Sequence, residues 1–188
     1  MNEHTDDEII AATRSWIERA VIGLGLCPFA KAVYTKNQIH YAVSTARSVP
    51  GLLEDLAREL RSLAERRPEV TDTSLLIHPY VLADFLDFND FLELTQVLLD
   101  ELELTGIFQI ASFHPQYQFE GTCVDDITNC TNRSPYPTLH LLREESVARA
   151  LEALPHAEEI FEKNIETMRG LGSDGWKALA HPTGDDPG

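Results

Sequence analysis

Apolar positions recur along the chain with two different periods, and the alternation between them outlines the fold. Thr5 and Glu8 stand three apart as a capping box, and Ile9, Ile10, Thr13, Ile17, Ala20, Val21 and Leu24 follow at helical spacing. Gly23 and Gly25 close this helix, predicted over 6–24, and "LCPFAK" turns the chain. "IHYAVST" (39–45) then carries the β-branched and aromatic residues of a strand. Leu52, Leu53, Leu56, Leu60 and Leu63 define a second helical face that must stop before Pro68. "TSLLIHP" (73–79) is a short apolar run suited to a strand buried on both sides.

The pattern then repeats. Phe91, Leu94, Leu98 and Leu102 mark a helix over about 89–104 that ends at Gly106, and "IFQIASFHP" is a third strand. "TLHLL" (138–142) reads as a fourth strand running directly into a helix over 144–154, which Pro155 breaks. A last helix carries Ile160, Phe161, Ile165 and Met168 before Gly170 and Gly172. Strands alternating with helices argue for βαβ units. The expected fold is a small two- or three-layer α/β sandwich with a mainly parallel sheet of three to four strands. A ferredoxin-like α+β arrangement is the alternative if the fourth strand runs antiparallel. One domain is expected over 1–188, with an α/β core at 38–171 and a frayed tail at 177–188.

Composition narrows the partners. A formal net charge of −16 over 188 residues repels phosphate backbones and anionic lipid heads, which argues against nucleic acid and membranes. It permits a basic protein partner, a metal cation, or a small anionic molecule held by locally clustered basic groups. No apolar run reaches the ~18 residues of a membrane span. "MNEHTDDEII" has no basic n-region, so no secretory signal is expected there. Three cysteines, Cys27, Cys123 and Cys130, are too few for a disulfide scaffold and lack Cys-x-x-Cys spacing, so a reducing cytoplasmic setting is expected. Cys27 follows a helix end, where the dipole raises a thiol pKa, and is read as a packing residue. Dinucleotide, P-loop and serine-hydrolase motifs are absent from the sequence.

Candidate chemistry gathers after the strands. Strand two ends "LLIHP" and strand three ends "ASFHP", so His78 and His114 each stand last in a strand before a proline. Proline stops the ladder and holds the preceding residue extended. If the two strands are parallel neighbours, both imidazoles reach the carboxyl edge of the sheet, where open α/β sheets bind ligands. One reading is a histidine pair that binds a divalent metal or acts as acid and base. Asp125 would then complete the metal set and Asp126 the catalytic one; Asp84, Asp87 and Asp90 follow the other histidine. The competing reading is that His-Pro merely terminates two strands and the rings cap loop carbonyls. His140 is read as structural, yet watched because it lies beside the loop.

The stretch 116–136 is long and polar, rich in groups that satisfy a backbone internally, and is expected to fold over that edge. Pro135 and Pro137 stiffen its exit. Arg133, flanked by Asn132 and Ser134, suits a bidentate anion clamp. Alternatively it pairs with Asp125 or Asp126 as a structural staple. Arg143, before a helix N-terminus, and Lys31, in the first turn, are further candidates for an anionic substrate.

The strings "GLCPFAK", "LLIHP", "DFNDF", "FQIASFHPQYQFEGT", "DDITN" and "TNRSPYPTLHLLRE" together resemble the bacterial domain of unknown function 1415 family, across Trp16 to Trp176. The resemblance implies a single-domain bacterial protein of this size and transfers no activity or catalytic residue. It also implies tyrosine as the common residue where Cys130 stands, which counts against Cys130 as ligand or nucleophile. Two functions follow as expectations. The first is a hydrolase-type enzyme, metal-assisted or using His acid–base chemistry, acting on a small anionic or phosphorylated metabolite. The second is a non-catalytic protein that binds a metabolite or partner.

Overall fold

The structure is a computed structural model, and it describes residues 4–154, 156 and 159–180. Helix α1 (Asp6–Trp16) begins with the predicted capping box: Thr5 Oγ1 accepts from the Glu8 amide, while the Thr5 amide donates to Glu8 Oε2 at 2.7 Å. It continues through a π-helical turn, Ile17–Ile22. There follow α2 (Ala30–Thr35), β1 (Ile39–Val43), α3 (Val49–Glu65), β2 (Thr73–Ile77), α4 (Phe85–Glu101) and β3 (Phe108–Phe113). A 3-10 segment, Ile127–Asn132, leads to β4 (Thr138–Arg143), α5 (Glu144–Glu152) and α6 (Ile160–Ala180), which kinks at Gly172. Helix α4 starts earlier than its apolar spacing suggests because Asp84 caps it, accepting from the amides of Leu86 and Asp87. The expected frayed tail falls partly on α6; residues 181–188 lie outside the described residues.

The fold is an α/β sandwich around one mixed four-stranded sheet of order β1-β2-β4-β3. β1 and β2 are parallel, joined through α3, whereas β4 is antiparallel to both β2 and β3. The mainly parallel sheet expected from the alternation gives way at β4. The reason is that β3 and β4 are joined by a loop and not by a crossover helix, so the chain re-enters the sheet at the edge where it left. The element order βαβαββα also differs from the βαββαβ order of a ferredoxin-like fold.

Strand alternation assigns the two faces. Leu76, Phe108, Leu139 and Leu141 point to one face and pack with Leu52, Leu56, Leu60 and Leu63 of α3 and Phe88, Phe91 and Leu99 of α4. The neighbouring polar residues on this face also turn toward α3. Ser44 Oγ donates to Asp55 at 2.6 Å and Ser74 Oγ to Glu59 at 3.2 Å. Arg143 closes the same layer by donating to the carbonyls of Leu63 (2.6 Å), Arg66 (2.7 Å) and Thr71 (3.2 Å), over the Phe108 ring. It thereby caps the carboxyl end of α3 with a cation, the sign the helix dipole favours there. The opposite face carries Leu75, Ala111, Phe113, His140 and Leu142 and is covered less completely, by α1, α2 and α5.

Candidate functional site

β2 and β3 are not neighbours, but both run antiparallel to the β4 strand between them, so they point the same way. His78 and His114 therefore reach the same edge and the same face of the sheet, and both are fully buried. Phe88 of α4 packs on both rings, with centroids 5.6 Å from His78 and 5.1 Å from His114. The loop after β3 closes this edge, for the His78 amide donates to Pro137 O and the His114 amide to Asn132 O. Both Pro135 and Pro137 are trans.

The ring nitrogens are engaged with backbone. His114 Nδ1 accepts from the Gln116 amide at 3.0 Å, which makes Nε2 the protonated nitrogen and donor to Leu82 O at 3.1 Å. His78 Nδ1 donates to Val81 O at 3.1 Å, leaving its Nε2 buried and without a protein partner. The two accepting carbonyls flank a turn in which Leu82 takes φ 59°, a conformation that costs a branched residue energy and that the two imidazoles hold in place. Burial pushes His78 down to about 4 and His114 below the ordinary histidine range, so both rings are neutral near pH 7.

The other predicted site residues are dispersed. Asp126 accepts from the amide and hydroxyl of Thr128, which holds its carboxyl below the usual range, and it caps the 3-10 segment. It borders a cleft of about 200 Å³ against α6, with Asn164 and Arg169. Asp125 is exposed. Arg133 meets neither aspartate: Nε donates to Tyr117 O at 3.1 Å and NH2 to Val124 O at 2.8 Å. In place of the aspartate partner expected for a staple, Arg133 meets loop carbonyls. Asn132 donates to Ser112 O of β3, and Ser134 donates to Tyr136 O within the loop. Arg143 is committed to the end of α3, and Lys31 is exposed on α2. Among the described residues no group of three or more His, Cys, Asp or Glu side chains could hold a metal ion.

A larger concavity lies on the opposite face. A cavity of about 770 Å³ opens between the sheet and α1, α2 and α5. Its floor is Leu75, Ala111, Phe113, His140 and Leu142, and Trp16, Phe29 and Val147 are among its walls. Trp16 meets Phe113 edge-on at 5.1 Å, and Phe113 lies 6.2 Å from His140. Half-buried Cys27 borders it too, its thiol pushed up by burial. His140 shares a 2.7 Å contact with Thr73 Oγ1, and burial pushes the imidazole down to about 4. The sequence carries one signal for this site. In "TLHLL", a histidine at mid-strand alternates with leucines that feed the core, so it must face the other way. That other face collects no motif, and Trp16, Thr73 and Phe113 arrive from three distant elements.

Residues 8–178 match the model of a family described as Protein of unknown function (DUF1415). No curated protein and no solved structure matches the chain.

Proposed function

For a chain that belongs to the DUF1415 family, we propose a small-molecule-binding function seated in the cavity on the α1/α2/α5 face of the sheet. The observation that supports it is the cavity itself. About 770 Å³ is within the range of small-molecule sites, and a mostly apolar floor that carries the His140–Thr73 contact suits their usual chemistry. Phe113 and Leu142 are half-buried strand residues that would be covered if the face were packed like the α3/α4 side. Filling that volume with an apolar ligand removes their remaining surface from water, worth roughly 25 cal/mol per Å² buried.

Trp16 is a reporter at the wall, and Trp176 is removed as a background by Trp176→Phe. Neutral apolar probes should change Trp16 fluorescence saturably and raise the melting temperature, since a ligand of the folded state alone stabilises it. Ala150→Phe, which puts a ring into the cavity from α5, should abolish both effects. Probes that give no saturable change, or that bind Ala150→Phe as well as the parent, would remove this reading.

A second reading, acid–base or metal-assisted catalysis at His78 and His114, has one observation in its favour: the unpartnered buried Nε2 of His78. A metal bridging the pair would have to displace a backbone partner from His114, whose two nitrogens are both bonded. Zinc or manganese titrated into protein without an affinity tag tests it. Stoichiometric uptake abolished by His78→Ala would favour that reading over the first.

A further inference from the structure

Thr73 Oγ1 lies 2.6 Å from Leu141 O and 2.7 Å from His140 Nε2. A hydroxyl has one proton, and a carbonyl oxygen only accepts. At 2.6 Å that proton must lie between the two oxygens, so Thr73 donates to Leu141 O. The contact with His140 then requires the imidazole to donate, which fixes the proton on Nε2 and leaves the lone pair on Nδ1. No protein group among the described residues bonds Nδ1, and the atom is not fully enclosed. His140 forms part of the cavity floor.

Resting on the cavity reading above, we infer that His140 Nδ1 is the polar anchor of the cavity and that the ligand is an uncharged, ring-bearing apolar molecule with one O–H or N–H donor. The aromatic series Trp16, Phe113 and His140 offers ring edges and faces against which a flat molecule packs. A carboxylate or phosphate is disfavoured at this anchor because a lone pair faces it. The ring is also kept neutral by burial, far below pH 7. Nor does the lining select for anions: of its cations Arg143 is committed to the carboxyl end of α3, Arg149 is paired to Glu145, and Lys36 stands with Glu69 and Asp72.

Three probes of similar shape separate the possibilities at pH 7: 2-naphthol (a donor), 2-methoxynaphthalene (no donor) and 2-naphthoate (an anion). The parent protein should bind the naphthol roughly three- to tenfold more tightly than the ether, the range that one neutral hydrogen bond gives. The naphthoate should bind most weakly. In His140→Phe, which keeps a ring and removes the nitrogen, naphthol and ether should bind equally and the ether as in the parent. Independently of that variant's folding, ¹⁵N spectra of the parent should show His140 Nδ1 as an unprotonated nitrogen that shifts on adding naphthol and stays on adding the ether. Equal binding of naphthol and ether by the parent overturns the anchor while leaving the cavity in place. So would a preference that survives in His140→Phe, a protonated Nδ1, or tightest binding of the naphthoate. Failure of all three probes to bind overturns the cavity reading and this inference with it.

Discussion

Arg133 and Arg143 show how a guanidinium is used when its hydrogen bonds go to backbone carbonyls. Arg133 spreads its donors over Tyr117 O and Val124 O, whereas Arg143 directs NH2 at the carbonyls of Leu63, Arg66 and Thr71 and leaves Nε buried without a partner. Arg133 joins Tyr117 to Val124 across the loop, and a lysine has one short head that cannot reach both. Arg133→Lys is therefore expected to cost about 1–2 kcal/mol in urea unfolding, the scale of charge-assisted hydrogen bonds lost from a partly buried site. Binding of an apolar probe in the cavity should be unchanged. A variant as stable as the parent would show that the two carbonyl bonds contribute nothing. His78, His114 and Arg133 were legible as ordered, inward residues because proline and local polarity constrain them. Their partners were not legible. The carbonyls they meet are aimed by backbone angles such as φ 59° at Leu82, which no side-chain pattern announces.

At the scale of elements, the two apolar periods placed every helix of α1 and α3–α6 and every strand, because burial of one face is what each element requires. Cap chemistry moved boundaries, as at Asp84, and the π-helical turn at Ile17–Ile22 left no signature. The spacing predicts a stop at Gly170 and Gly172, but only Gly172 bends the chain. Gly172 has φ 67° and ψ 172°, a region that side-chain-bearing residues avoid, whereas Gly170 is helical with open space at its Cβ position. The kink lets Leu171 and Trp176 both pack on the small cluster of Leu26, Cys130 and Met168. Gly172→Ala should accordingly destabilise by roughly 1–3 kcal/mol and weaken the near-ultraviolet signal of Trp176. Gly170→Ala should stabilise by up to about 1 kcal/mol through helix propensity. Equal effects of the two substitutions in thermal unfolding would contradict the kink as the cause.

At the scale of the whole molecule, the sequence could not reveal which sheet face is filled. Alternation gives both faces of β2 and β4 apolar residues, and coverage depends on strand order and on where three helices come to rest. The same packing that leaves the cavity also buries His78 and His114 and half-buries His140, and this makes the fold sensitive to acid. His78 is the cleanest case, being fully buried with its pKa pushed down to about 4, against an ordinary value near 6.5. A depressed histidine pKa means that the unfolded chain takes up the proton first as pH falls. Stability from this group is complete above about pH 6.5 and is lost progressively between 6.5 and 4, on the order of 3 kcal/mol in all. His114 and His140 shift in the same direction and add to the loss. The net charge of −16 acts oppositely, because protonating carboxylates relieves self-repulsion. Comparison with His78→Asn isolates the imidazole, since the asparagine amide can donate to Val81 O but does not titrate. In urea unfolding at 0.5 M NaCl, which screens the surface charges, the parent should lose stability relative to His78→Asn as pH falls from 7 to 4.5. The gap should be constant from pH 7 to 8. A gap that is flat from 7 to 4.5 would mean that His78 is protonated as readily in the folded protein as in the unfolded chain.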